Sequence, residues 1–394
     1  MDERRLRPPA GARVRIVEVG ARDGLQNEKT PLATATKLEL IRRLAAAGLR
    51  DIEATAFVSP RWVPQMADHA RLMAAIAADP ALADAGINFP VLAPNMKGYE
   101  AAVAAGAKEV AVFAAASEGF SKKNINCSIA ESIERFAPIF DAAKSQGVRV
   151  RGYVSCVVAC PYEGAVAPEQ AAAVAAELND RGAYEVSLGD TIGVATPGQV
   201  LKMLEAVARR VPVKRLAGHF HDTYGMAAAN VYASIGFGLR VFDASVGGLG
   251  GCPYAKGASG NAATEDLVYL LQGLGMDPGI DLDALVDCAA WISAALGREP
   301  ASRVARAVLA RRAQPAAPTT AGASPSATSS RGSRAGSARA PAAGGRPRWW
   351  PTPASCSPCP TPCPTRPPCS WSPPRAPCTP PTRWPPAALG TRSR

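Results

Sequence analysis

Residues 184–222 read YEVSLGDTIGVATPGQVLKMLEAVARRVPVKRLAGHFHD. A short run ending in polar residues (YEVSLGD), a helical stretch (TPGQVLKMLEAVARR) and a second short run (RLAGHFHD) follow one another. Strands alternating with helices argue for parallel βαβ units. The same alternation extends in both directions. Strand candidates upstream are VRIVEVG, DIEATAF, INFPVLA, EVAVFAA and VRVRGYVSCV, and VFDASVGG follows downstream. Between them lie helical stretches such as TATKLELIRRLAAAG, PNMKGYEAAVAAG, SIERFAPIFDAAKSQG and PEQAAAVAAELNDRG, many ending in glycine as a helix C-cap does. Eight such units over residues 14–273 have the size and count of an α/β (β/α)₈ TIM barrel. An open doubly wound sheet is the rival, weakened because no G-x-G-x-x-G follows the first strand. Two further helical stretches, DLDALVDCAAWISAALG and PASRVARAVLARRA, extend the body as extra C-terminal helices over 282–312.

Composition breaks near Ala313. Of 44 basic residues in the chain, ten arginines lie in residues 315–394, which hold none of the 33 acidic residues. The formal net charge of +11 therefore belongs to the end of the chain, and the first 314 residues carry 34 basic against 33 acidic groups. Residues 315–394 also hold 20 of the 36 prolines and five of the ten cysteines. Proline interrupts helices and ladders, so the expectation is a domain over 1–313 and a disordered Pro/Arg/Ser/Cys-rich tail over 314–394. The tail's alphabet is that of out-of-frame or read-through translation of GC-rich DNA. Cysteines 127, 156, 160, 252 and 288 lack pairing spacing, which suits a reducing compartment. The opening MDERRLRPPAGARV lacks the apolar core of a signal peptide, and no apolar run reaches the ~18 residues of a membrane span. A soluble cytoplasmic protein with no membrane partner is expected.

In a barrel of this kind, polar residues at the C-terminal ends of strands are the active-site candidates. His219 and His221 are two of only three histidines, and they stand at such an end, followed by Asp222. Strand positions i and i+2 share a face, ~6.6 Å apart, so both imidazoles can converge on one ion at ~2.1 Å. His69, on a predicted helix, reads as a surface or cap residue. The ion needs oxygen donors as well. Asp23 in GARDG, after the first strand, and Asn261 in GASGN, after the eighth, supply them. A His₂-Asp-Asn set suits Mg²⁺ or Mn²⁺ better than structural zinc. Arg22 is either a structural partner of Asp23 or a permanent charge aimed at a developing oxyanion. Cys252, inside the glycine-rich SVGGLGGCPYAKGASGN (245–261), is either incidental or a thiol delivered to substrate by loop closure.

The segments VEVGARDGLQNE, EATAFVSPRWVPQMAD, VRGYVSCVVACPYEG, LGDTIGVATP, HFHDTYGMAAAN and SVGGLGGCPYAKGASGNAATEDLVYLL resemble the 3-hydroxy-3-methylglutaryl-CoA lyase family over about residues 13–312. The Arg-Asp and His-x-His pairs are shared with a wider group of metal-dependent TIM-barrel lyases and aldolases. The cysteine loop and FVSPRWVPQM belong to the lyase branch. The resemblance implies retro-Claisen cleavage of an acyl-CoA, with Asp23, His219, His221 and Asn261 on a divalent cation. It implies that Arg22 polarises the thioester oxygen, that Cys252 is the catalytic thiol, and that Glu53 supports the site. It places Asp190 and Thr191 near substrate. Lys122 and Lys123 offer charge for CoA phosphates or simply a solvated pair. A homo-oligomer, a dimer, is expected, with no nucleic-acid partner. The alternatives are a paralogous lyase for another 3-hydroxy-3-alkylglutaryl-CoA, a condensing synthase, and a nucleic-acid binder acting through the basic tail.

Overall fold

The computed structural model of the chain describes residues 13–83, 86–251 and 260–314. Cys252 and residues 315–394 lie outside the described residues.

Eight parallel strands form the barrel. They are β1 (Arg15–Glu18), β2 in two pieces (Asp51–Ile52 and Thr55–Ala56), β3 (Val91–Leu92), β4 (Glu109–Ala115), β5 (Arg149–Ser155), β6 (Glu185–Asp190), β7 (Leu216–Phe220) and β8 (Val241–Ala244). Pairing runs from the first piece of β2 through β1, β8, β7, β6, β5, β4 and β3 to the second piece of β2. The two pieces are one chain segment, so the sheet closes on itself. The closing bonds change sides residue by residue. The N–H of Glu53 donates to Glu18 O on β1 at 2.8 Å, and those of Ile52 and Ala54 donate to Asn88 O and Pro90 O beside β3 at 3.0 and 2.9 Å.

The connecting helices are α1 (Thr34–Ala46), α2 (His69–Ala77), α3 (Met96–Ala104), α4 (Ile129–Gln146), α5 (Pro168–Asp180), α6 (Pro197–Ala208), α7 (Ala227–Phe237) and α8 (Thr264–Gly273). Their ends are set by local chemistry. The Asn95 side chain accepts the Gly98 N–H at 2.9 Å, and Ser128 and Glu131 form a reciprocal capping box at the start of α4. Gly147 ends α4 with φ +69°, a left-handed cap that costs glycine nothing. Two more helices, α9 (Leu282–Ala295) and α10 (Arg303–Ala313), follow the barrel. Among the described residues no helix is long and apolar enough to cross a membrane.

The hydrophobic core is the layer between barrel and helices. Ile16, Ile52, Val110, Val186, Leu188, Leu216, Phe220 and Phe242 on the strands meet Leu40, Leu44, Val200, Leu204 and Val207 on the helices, all essentially inaccessible. Each such aliphatic contributes about 1.5–3 kcal/mol by leaving water. The barrel interior is different. Branched apolar residues usually fill it, but here Arg15, Asp51, Glu53, Arg151, Tyr153, Glu185, Ser187 and Asp243 bond to one another across it. The strand alternation in RVRGYVS and EVSLGD thus puts its polar face inward.

Candidate active site

At the C-terminal end of the barrel a cavity of about 170 Å³ is lined by the polar groups Arg22, Asp23, His219, His221 and Thr191 and by the apolar residues Leu92, Phe113, Phe120 and Val154. Each polar group arrives on a specific local device. After β1 the chain makes one wide turn over Gly20–Gly24, in which the Gly24 N–H bonds back to Val19 O at 3.1 Å. Such five-residue turns are frequent at functional sites. This one lets two adjacent residues, Arg22 and Asp23, both reach the cavity.

Arg22 is almost wholly buried and has no freedom. Its Nε donates to Glu53 Oε2 at 2.8 Å, its NH2 lies 2.7 Å from the same oxygen, and its NH1 donates to Asp23 Oδ1 at 2.7 Å. The guanidinium also sits 5.6 Å from the centre of the Tyr153 ring. Burial opposes its charge, but Glu53 and Asp23 raise its pKa further, so it remains a cation. The other oxygen of Asp23 accepts from Asn261 Nδ2 at 2.8 Å. Burial works against the Asp23 carboxylate, and Arg22, His219 and His221 together hold its pKa below the ordinary value.

The i/i+2 rule holds on β7. His219 lies on that strand and His221 at its end, and both line the cavity with ring centroids 5.3 Å apart, while Phe220 turns outward into the core. Ligand atoms of Asp23, His219 and His221 all fall within 4.8 Å of one another, which makes this the group of His, Cys and carboxylate side chains able to hold a metal ion among the described residues. The set is mixed nitrogen and oxygen, buried, with no thiolate, and it fits a hard divalent cation. His221 and Asn261 are backbone neighbours across an antiparallel bridge, which delivers Asn261 to the same spot. Next to it Gly250 has φ +115°, and a Cβ there would stand 2.8 Å from Asn261 Nδ2. Only glycine lets the chain pass so close.

Other expectations fare differently. Thr191 lines the cavity and its hydroxyl accepts the Cys156 N–H at 2.9 Å. Asp190 does not line it. Its register partner is Phe220, so it shares the outward face, and its carboxylate braces the next loop by accepting from Val194 N and Ala195 N at 3.2 and 2.9 Å. Lys122 and Lys123 are exposed on the short helix Glu118–Ile125 and do not line the cavity, whereas Asn124 and Phe120 from the same helix do. His69, expected at the surface or at a helix cap, is the first residue of α2 and half-buried, its ring 4.4 Å from that of Phe57. Tyr153, Arg151 and Asp243 escaped the sequence reading. Their signal was the alternation of polar residues in RVRGYVS and FDAS.

The HMGL-like family model matches residues 13–292. A 3-hydroxy-3-isohexenylglutaryl-CoA/hydroxymethylglutaryl-CoA lyase of Pseudomonas aeruginosa is 59% identical over 299 residues, 76% of this chain and 98% of the relative. A mitochondrial hydroxymethylglutaryl-CoA lyase of Bos taurus is 58% identical over 294 residues, 75% of this chain and 89% of the relative. The crystal structure of hydroxymethylglutaryl-CoA lyase from Pseudomonas aeruginosa superposes with a TM-score of 0.73, covering 77% of this chain and 99% of that one. The chain is a carbon–carbon lyase with a TIM-barrel fold and belongs to the HMGL-like family.

Proposed function

We propose that the chain cleaves 3-hydroxy-3-methylglutaryl-CoA to acetyl-CoA and acetoacetate by a retro-Claisen reaction, as a cytoplasmic, homo-oligomeric enzyme of leucine breakdown and ketone-body formation. The observation that carries this reading is the convergence of Asp23, His219 and His221 beside Arg22 at the mouth of the barrel. Those three side chains and Asn261 would hold Mg²⁺ or Mn²⁺. When bound, the cation supplies Lewis acidity toward the substrate hydroxyl and a carboxylate oxygen.

The remaining chemistry falls to the chain. A base, Asp23 or a histidine, takes the C3 hydroxyl proton. The C2–C3 bond then breaks, leaving a ketone at C3 and its electron pair on the acetyl-CoA enolate. Arg22, fixed from two sides by Glu53 and Asp23, presents its charge to the enolate oxygen without having to reorganise. Cys252, with an ordinary thiol pKa of ~8.5, can remain protonated and return a proton to C2. Closure of its glycine-rich loop would keep water from the carbanion.

The apolar residues Leu92, Phe113 and Phe120 in the cavity lining favour a second reading, in which larger 3-alkyl groups are also accepted. The relative that names an isohexenyl substrate points the same way. The test is acetoacetate formation by a chain ending near Ala313, with Mg²⁺ or Mn²⁺, before and after chelation. Full activity in chelator would refute the metal-dependent reading. Comparison of methyl and longer-alkyl substrates decides between the two substrate ranges.

A further inference from the structure

We infer that Asp243 is a positioning residue for the metal centre: it holds His219 through Nδ1 and thereby leaves Nε2 as the ring nitrogen available for the cation. This rests on the metal reading above and concerns a residue that touches neither substrate nor ion.

The geometry is set by strand register. On β7 and β8 His219 is the direct partner of Asp243, and on the other side it pairs with Gly189 of β6, which has no side chain to compete for the ring. His219 Nδ1 lies 3.1 Å from Asp243 Oδ2. That carboxylate is completely buried and committed elsewhere as well. Arg151 NH2 donates to Oδ1 at 2.8 Å, and the Ser187 hydroxyl donates to Oδ2 at 2.6 Å. Arg151 is itself pinned, with Nε on Glu185 at 2.8 Å and NH1 on the Tyr153 hydroxyl at 2.8 Å. A carboxylate paired with a buried guanidinium is an acceptor only. The proton in its bond with the imidazole must therefore sit on Nδ1. A neutral ring protonated on Nδ1 has its lone pair on Nε2, the nitrogen a cation can use. The Tyr153 ring, edge-on to the imidazole with centroids 6.1 Å apart, limits ring rotation. Carboxylates behind metal-bound histidines act this way, and losing one typically costs about 10- to 100-fold in metal affinity.

The chain's three histidines make the test direct. Long-range ¹H–¹⁵N correlation spectra of the metal-free full-length protein, recorded at rising pH until the ring signals no longer change and the imidazoles are neutral, report each ring's tautomer; a His219→Gln spectrum assigns the signal. His219 is expected to carry its proton on Nδ1. Asp243→Asn, which can donate to the ring as well as accept, should lose that preference and weaken Mn²⁺ binding about 10- to 100-fold, read as free Mn²⁺ by electron paramagnetic resonance. Ser187→Ala removes one hydrogen bond to the same carboxylate oxygen while keeping its charge. It covers the case in which loss of one of the two carboxylates on Arg151 unfolds Asp243→Asn, and it should weaken Mn²⁺ binding about 2- to 10-fold. A wild-type His219 protonated on Nε2 would overturn the inference. So would Mn²⁺ affinity unchanged in a folded Asp243→Asn, or in Ser187→Ala where the former does not fold. Failure of the wild-type protein to bind Mn²⁺ refutes the metal reading and the inference with it, and the wild-type titration alone identifies that case.

Discussion

Gly24→Ala tests whether the wide turn carrying Arg22 and Asp23 is wedged directly against the segment that leads into the cysteine loop. A Cβ on Gly24 would stand 2.7 Å from Leu249 Cβ and 2.9 Å from Ser245 Oγ. Carbon atoms prefer about 3.5–4.0 Å, so one side must retreat by about 1 Å. Leu249 Cβ is fixed to its backbone, so rotating a side chain cannot relieve the contact. Overpacking of this kind costs about 1–3 kcal/mol. A domain stable by about 5–15 kcal/mol survives that loss, with a melting temperature lower by a few degrees. The rate is the more sensitive quantity. A misplacement of about 1 Å in a catalytic constellation can cost about 10²-fold, and here the displaced groups are the Arg22–Asp23 turn on one side or the approach to Cys252 on the other. The measurement is kcat for acetoacetate formation at saturating substrate and Mn²⁺, with circular dichroism to confirm folding. Gly198→Ala is the control: nothing lies within 4 Å of a Cβ there, so activity should stay and helix α6 should gain slightly from alanine. A folded Gly24→Ala enzyme with kcat within about threefold of wild type would refute the argument that the two elements are rigidly coupled.

Cys252→Ala should abolish turnover while leaving metal content intact, and retained turnover would remove the thiol from the mechanism. His221→Ala should lower Mn²⁺ occupancy as well as rate; normal occupancy would exclude it from the ligand set. Glu18, completely buried beneath the turn after β8, has its carboxyl raised to about 7 by burial, against the donors Thr264 Oγ1, Val246 N and Gly20 N. The folded state therefore binds this proton more tightly than the unfolded state, and stability should fall as pH rises from about 4.5 to 7. Glu18→Gln should flatten that part of the stability–pH curve in urea titrations; an unaltered curve would show that Glu18 titrates normally.

How much of this was legible in the chain depends on whether a residue's facing direction could be told from its neighbours. The eight strand–helix units could be read because apolar runs and glycine caps recur along the chain, and the closure of β2 between β1 and β3 follows from that count. Strand lengths could not. INFPVLA reads as seven residues of strand, but continuous pairing covers only Val91–Leu92, with an isolated bridge from Asn88 to Asp51 on the other side of Pro90, which has no N–H to give the ladder. The histidine pair was legible through rarity and parity together. The same parity rule sets Asp190 apart from the cavity-facing positions: Glu185, Ser187 and Gly189 form one face of β6, and Asp190 forms the other with Val186 and Leu188.

The polar interior of the barrel was missed for a deeper reason. An alternating strand such as RVRGYVS ordinarily has its polar side in water, and nothing local reveals that in a closed barrel that side faces the axis. Packing economy does not explain the choice, since a buried ion pair is often no more stable than apolar residues of the same volume. Orientation does. Arg22, Asp23 and His219 are each held by a charged or polar neighbour whose own position is fixed by another: Arg22 by Glu53, Asp23 by Asn261, and His219 by Asp243, which Arg151 and Ser187 secure in turn. The apolar layer outside the strands supplies the stability, which leaves the interior free to spend its volume on aiming Arg22, Asp23 and His219 at one point.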